Sequence, residues 1–311
     1  MQKTKFKARG RLCALLVTVC TLAALFLFPL GASAAKGGVT AEPRALTQSV
    51  EPALSPVKSR STWSYTSYPI TLWGRTLGAK ALLMNGTLYI PMRSFSEGVG
   101  ARVSYNSATK TLTVSANGLY LTVTDGAYVT YANDRPFFSA HNSVIMSDGR
   151  MYVPIPTVMK AFGLSYTKSA SGTVAVTGSY TPPIKASSFY RQDEVLWLSR
   201  IISAESRGEP LLGQIAVGSV VMNRVKSPYY PNTIYGVIFD RAYGVQFSPI
   251  LDGSIYNTPT YNCTLAAKIC LEGARVGDGA LFFLRPETSN SLWIPASRRF
   301  LYSIGNHDFY A

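Results

Sequence analysis

The sequence predicts an α+β protein built as two domains: a small β-rich repeat domain, then a mainly helical domain carrying a small β hairpin. Three observations lead there. Between residues 68 and 178, short alternating runs such as Thr111-Leu112-Thr113-Val114 and Leu119-Tyr120-Leu121-Thr122-Val123 are separated by Asn117-Gly118, Asp125-Gly126 and Asp148-Gly149, the pattern of strands and tight turns. Within that segment Gly86-Thr87-Leu88-Tyr89-Ile90-Pro91 returns 63 residues later as Gly149-Arg150-Met151-Tyr152-Val153-Pro154, and Gly100 returns as Gly163. From residue 192 the apolar spacing becomes helical, with Val195, Leu198, Ile201 and Ile202 on one face.

The elements follow in chain order. Five basic residues (Lys3, Lys5, Lys7, Arg9, Arg11), an apolar run over 12–30 and the small residues Gly31-Ala32-Ser33-Ala34-Ala35 make residues 1–35 a secretory signal peptide. The apolar run approaches the roughly 20 residues that span a bilayer, so an uncleaved N-terminal membrane anchor is the alternative. Val19 before Cys20 does not suit a lipoprotein. Without residues 1–35 the net charge of +14 becomes +9, which favours polyanionic partners or simply serves solubility. Export points those partners to wall polymers, not nucleic acid. Residues 36–67, with Pro43, Pro52 and Pro56 among Ser, Thr and Ala, read as a linker. Each repeat in 68–178 reads as strand, proline-opened short helix and hairpin. Thr181-Pro182-Pro183 marks a stiff connector, and the second domain occupies 187–311.

In that domain, residues 211–225 are apolar nearly all round and contain Ala216, Gly218 and Ser219, as expected of a central helix packed closely on its neighbours. Cys263 and Cys270 stand two helical turns apart, about 10 Å, beyond disulfide reach, and read as buried free thiols. The tail over 300–310 alternates like a strand and is expected to pair antiparallel with the apolar run 280–284. Glu205 follows Ile201 and Ile202 on the buried side of the last helical turn, before a Gly208 C-cap and Pro210. A carboxyl facing a core beside the negative end of a helix dipole keeps its proton to higher pH and suits proton donation near neutrality. The alternative is a glutamate paired with Arg200 or Arg224 that only fixes a helix end.

Two family resemblances add to this reading. Residues 68–178 resemble the copper amine oxidase N-terminal-like, or stalk, domain, which implies a spacer or wall-adhesion module; a scaffold without ligand is the alternative. With His141 as its single histidine and no cysteine, the segment offers nothing that would bind copper. From Leu198 onward the chain resembles the cell wall hydrolase family of the spore cortex-lytic enzymes, of SleB and CwlJ type. The matching motifs are Ala204-Glu205-Ser206-Arg207-Gly208-Glu209-Pro210, Gly213-Gln214-Ile215-Ala216-Val217, Val221-Met222-Asn223-Arg224-Val225, Gly244-Val245-Gln246-Phe247-Ser248-Pro249, Gly253-Ser254-Ile255-Tyr256-Asn257-Thr258-Pro259, Gly279-Ala280-Leu281-Phe282-Phe283 and Ile304-Gly305-Asn306-His307-Asp308-Phe309.

This resemblance implies a lysozyme-like fold, peptidoglycan of spore cortex or vegetative wall as substrate, Glu205 as catalytic acid, and spore helper proteins as partners. Glu209 is expected to cap the next helix. The order Glu205-Ser206, Gly244 to Gln246, Tyr256-Asn257 also echoes lytic transglycosylases. Ordinary glycosidases need two carboxylates, and one has a strong case here. A lytic transglycosylase works with one, closing a 1,6-anhydromuramyl end. Gln246, Tyr256 and Asn257 are the candidates for binding N-acetyl groups. Phe247, Phe283 and Trp293 are expected either in the saccharide groove or in the core, and His307 either in the site or as a structural turn residue. No cofactor and no metal are expected. The rivals are an N-acetylmuramoyl-L-alanine amidase, which would need several imidazoles or thiolates for zinc, and a non-catalytic wall-binding protein. A serine hydrolase lacks its Gly-x-Ser-x-Gly element.

Overall fold

A computed structural model describes residues 64–140, 143–242, 244–277, 279–289 and 293–311. The expected signal peptide, nearly all of the linker and His141 lie outside the described residues.

The repeat domain opens with β1 (Thr66–Leu72), β2 (Arg75–Met84) and β3 (Thr87–Pro91), followed by α1 (Met92–Gly98) and the hairpin of β4 (Arg102–Asn106) and β5 (Thr111–Ala116). After β6 (Leu119–Thr124), β7 (Val129–Ala132), β8 (Arg135–Phe138) and β9 (Ile145–Ser147), the second copy runs as β10 (Arg150–Pro154), α2 (Ile155–Phe162), β11 (Ser165–Lys168) and β12 (Val174–Thr177). The repeated strands pair with each other, Ile90 opposite Val153 in an antiparallel β3–β10 ladder, and their helices meet through Phe95 and Phe162, edge to face at 5.2 Å. The hairpins then part company. β11 and β12 join a seven-stranded sheet of order β11-β12-β1-β2-β3-β10-β9, in which β1 and β12 are parallel, whereas β4 and β5 start a five-stranded sheet with β6, β7 and β8. Alternation puts Leu112, Val114, Leu121 and Val123 into a core shared with both helices. Gly163 ends α2 at φ 63°, where any Cβ would also strike the Thr181 carbonyl.

The connector is strapped to this domain. Asn133 donates from Nδ2 to the carbonyls of Gly118 (2.7 Å) and Pro183 (2.6 Å), and the Thr181 amide bonds the Phe162 carbonyl at 3.0 Å.

The helical domain comprises α3 (Ala186–Phe189), α4 (Gln192–Ser206), α5 (Leu211–Lys226), α6 (Ile234–Ile238), α7 (Tyr261–Leu271), β13 (Phe282–Leu284), α8 (Trp293–Ser297), β14 (Phe300–Ile304) and β15 (His307–Tyr310). α5 is its centre. A Cβ at Gly218 would lie 2.8 Å from both Cys270 Sγ and Ile202 Cδ1, so α4 and α7 reach α5 through this glycine. Cys263 and Cys270 are free and buried, and burial pushes the Cys270 thiol up to about 12. The tail departs from the expected single strand: it folds at Gly305-Asn306 into β14 and β15, and β15 sits between β14 and β13.

The two domains share a polar anchor. Glu272, at the end of α7 with its side chain 1% exposed, accepts from Arg135 Nε (2.7 Å) and Nη2 (2.9 Å), from the Tyr190 hydroxyl (2.6 Å) and from Lys160 Nζ (2.9 Å). Phe189 covers the Arg135 guanidinium at 3.4 Å. Burial alone would raise the Glu272 carboxyl, but its three donors together outweigh burial and hold it below the usual range. A depressed carboxyl contributes stability that is full above its unfolded value and is lost as pH falls through the folded one. Glu272→Ala, which strands Arg135 and Tyr190, should cost about 3 kcal/mol at pH 7. In urea titrations that difference should shrink as the pH is lowered below about 4; a difference that does not change with pH would refute the ionic account.

Candidate active site

Glu205 is the penultimate residue of α4, whose buried face is Val195, Leu198, Ile201 and Ile202. The helix closes on Arg207 in right-handed geometry, not on Gly208, because the chain turns through a bond from the Glu209 amide to the Ser206 carbonyl at 2.9 Å. Burial, reinforced by the negative charge of Asp252 and partly offset by Arg224, pushes the Glu205 carboxyl up to about 7. Among the described residues neither Arg200 nor Arg224 forms an ion pair with it.

The reason lies in where Arg224 is held. Buried near the end of α5, it donates from Nε to the Leu281 carbonyl (2.8 Å) and from Nη1 to Gln246 Oε1 (3.4 Å). The rings of Tyr230, Phe247 and Phe282 stand 5.0, 5.2 and 5.4 Å from its guanidinium carbon. Its neighbour Asn223 bonds the Ala280 carbonyl at 3.0 Å. Arg224 therefore lends Glu205 a positive field without neutralising it.

Gln246 is fixed on its other side by Nε2 donating to the Gly244 carbonyl at 3.2 Å. Tyr256 and Asn257 are exposed on the loop around a 3-10 turn, Ser254–Tyr256, and Asp252 shapes that loop by accepting from the Ser254 amide at 2.8 Å. Glu205, Gln246 and the Tyr256 loop are thus joined through Arg224 and Asp252, two residues that the sequence reading did not assign to the site. Asp252 lies just before the Gly253-Ser254 motif, but nothing in its spacing discloses a charge facing Glu205.

The aromatic candidates divide. Phe247 is 2% exposed and belongs to the core, so the groove expectation for it is corrected: a ring packed among Ile202, Ile255 and its neighbours presents no face to a sugar. Phe283 is half-buried against Phe247, His307 and Phe309. Trp293 is exposed, but it packs on Phe282, and neighbouring strand residues point to opposite faces, so Phe283 and Trp293 do not line one groove.

Glu209 is also corrected. It does not cap α5, whose N-cap is Pro210; its carboxylate accepts instead from the Asn306 amide (3.0 Å) and from Asn306 Nδ2 (2.8 Å) in the β14–β15 turn. His307 opens β15 and is not a turn residue. Its Nδ1 lies 3.8 Å from Glu209 Oε1, and burial keeps its pKa below the usual histidine range. Gly305, at φ 58°, has no room for a Cβ beside the Glu209 carboxylate.

A raised carboxyl carries stability that is full below its unfolded pKa and is lost as pH rises through the folded one. Glu205→Gln should therefore match the parent at pH 4 and exceed it by up to about 3 kcal/mol at pH 9 in denaturant titrations; equal stability at both values would mean an ordinary surface carboxyl. Gly305→Ala should lower the thermal midpoint by disrupting the Glu209 contact, and Glu209→Ala should remove most of that added penalty in a double-mutant cycle.

Residues 208–310 match the family described as Cell Wall Hydrolase, and residues 73–176 match the Copper amine oxidase N-terminal domain. The spore cortex-lytic enzyme of Bacillus cereus is 40% identical over 121 residues, 39% of this chain and 45% of that protein. The enzyme of the same description from Bacillus subtilis is 33% identical over 120 residues, 39% of this chain and 38% of that protein. The chain thus spans less than half the length of either relative. Among solved structures, the catalytic domain of the germination-specific lytic transglycosylase SleB from Bacillus anthracis is 38% identical, with a TM-score of 0.36, over 39% of this chain and 97% of that one. The C-terminal domain belongs to the cell wall hydrolase family, and the domain before it is a copper amine oxidase N-terminal-type domain.

Proposed function

We propose that this protein acts outside the cytoplasm as a peptidoglycan-cleaving enzyme, and that its lysozyme-like C-terminal domain is a lytic transglycosylase with Glu205 as its acid and base. The observation that carries this reading is a carboxyl without an ion-pair partner among the described residues, with a pKa pushed up to about 7 under the Asp252 and Arg224 charges. It supplies the two protonation states that the reaction needs in turn. Likeness to a domain described as a germination-specific lytic transglycosylase supports the same chemistry.

Protonated Glu205 gives its proton to the glycosidic oxygen as the C1–O bond of N-acetylmuramic acid breaks. The carboxylate left behind steadies the oxocarbenium-like sugar. It then removes the proton of the C6 hydroxyl as O6 bonds C1, which yields a 1,6-anhydromuramyl end and restores the acid. Gln246, held by Arg224, together with Tyr256 and Asn257, binds N-acetyl groups in this scheme. The repeat domain acts as a spacer that sets the catalytic domain's distance from its anchor point.

A second reading rests on Asp252. Its carboxyl is held below the usual range by hydrogen bonds from Ser254, so it stays ionised beside a protonated Glu205, the division of labour of a glycosidase acid and base. With Asp252 activating water, the product would be a reducing end. A zinc amidase would need a converging ligand set, and among the described residues no three His, Cys, Asp or Glu side chains converge.

Mass spectrometry of muropeptides released from cortex-type and vegetative sacculi tests the reading. Wild type should release anhydromuramyl ends, and Glu205→Gln should lose at least about 1,000-fold in rate; full activity in that variant would overturn it. Activity should fall as pH rises above about 7. Asp252→Asn should move that alkaline limb to lower pH, because a like charge that raises Glu205 is gone, while still giving anhydro products. A reducing-end product that disappears in Asp252→Asn would establish hydrolysis instead.

A further inference from the structure

Beside the site, α4 carries an aromatic cluster of which the proposed mechanism uses only Tyr256. The Trp197 ring centre lies 5.3 Å from Tyr235, 5.1 Å from Phe239 and 6.2 Å from Tyr256. Large rings normally bury their area, yet Tyr235 is 53% and Tyr256 58% exposed. Arg200 stands among them, its guanidinium carbon 5.0 Å from the Trp197 ring and 6.0 Å from that of Tyr256. Its buried Nε has no hydrogen-bond partner, and no carboxylate pairs with it among the described residues. A cation held between a half-buried tryptophan and an exposed tyrosine, with no carboxylate partner among the described residues, is a poor device for stability and a suitable one for an anionic, ring-shaped ligand.

We infer that Tyr235, Trp197 and Arg200 continue the site outward from Tyr256 as a second binding strip for the glycan strand, beyond the cleaved bond. The apolar faces of its pyranose rings lie on the aromatics, and Arg200 receives the lactyl carboxylate of a muramic acid that carries no stem peptide. The inference rests on the proposed function for the identity of the occupant, and continuity with the site argues for it. Tyr256 belongs to the loop whose Asp252 faces Glu205, and its ring also meets Trp197. Arg200 and Trp197 precede Glu205 on α4 by about 7 Å and 12 Å of helix rise, and the Tyr256 ring, in contact with both, connects them to the loop beside Glu205. The net charge of +9 that remains without residues 1–35 suits the same anionic polymer.

The test measures binding by the whole chain carrying Glu205→Gln, so that nothing is cleaved. The probes are a neutral N-acetylglucosamine hexamer and wall glycan strands stripped of stem peptides, which leaves their lactyl carboxylates free. Tyr235→Ala should weaken both about fivefold. Arg200→Gln should weaken the anionic strands about fivefold and leave the hexamer unchanged. Circular dichroism melts identify any variant that has lost its fold; Tyr235→Ser and Arg200→Met then take its place. Unchanged binding in folded variants of both positions overturns the strip. Equal loss of both probes in the arginine variant overturns its carboxylate role. Parent protein that binds glycan through these residues but cleaves no sacculus would overturn the enzymatic reading and leave the strip standing.

Discussion

The arrangement of the helical domain turns on the separation of Glu205 from Arg224. Two opposite charges brought this near one another inside a protein would ordinarily pair, and a paired glutamate would be a permanent carboxylate. Arg224 is prevented from closing the gap by its own commitments: the Leu281 carbonyl takes Nε, the Gln246 amide takes Nη1, and three aromatic rings surround the plane. What reaches Glu205 is a field that moderates burial without cancelling it, while Asp252 pushes the other way. The result is a proton held near the point of balance at neutral pH, as the proposed acid-then-base role of Glu205 requires.

Holding that balance requires rigidity on every side of α4. Gly218 lets α5 lie against Ile202 and Cys270, so the buried face of α4 rests on the central helix with no side chain between. Behind the site, Glu209 ties the start of α5 to the Asn306 turn and thus joins the first helical motif to the C-terminal hairpin. The two glutamates are four residues apart and differ wholly in role because of their partners. Glu209 receives two donors and is satisfied, whereas among the described residues Glu205 receives none and remains available.

Much of this was legible in the sequence because it depends on period and local chemistry. The apolar spacing of α4 placed Glu205 on the buried side, the small residues of α5 marked it as central, and the repeat of Gly86 to Pro91 at Gly149 to Pro154 gave strand, helix and hairpin twice. What escaped depends on distant partners. Nothing local distinguishes hairpin β4–β5 from β11–β12, yet they enter different sheets according to which strand each can pair with. Glu209 looked like a helix cap because its hairpin partner lies 97 residues away. Phe247 carries a sequence motif into the core because the ring supports Arg224 and Phe283 from beneath, and a motif position does not disclose depth.

The anchor at Glu272 bears on what the repeat domain is for. A passive tether needs only a flexible linker, and interdomain surfaces of that kind are loose and polar. Here one carboxylate is nearly sealed from water by a bidentate arginine, a lysine and a tyrosine, with Val129 and Phe138 of the repeat domain packed on the helical core nearby. Burying such a charge is favourable only with every donor in place, so slight rotation between the domains would leave several groups unsatisfied at once. The anchor therefore fixes orientation more than it adds affinity. A spacer rigidly joined to a glycan-cleaving domain would present the α4 face at a constant angle to whatever holds the N-terminus. On the proposed function, a constant angle would decide which strands of a layered polymer such as the wall come within reach of Glu205.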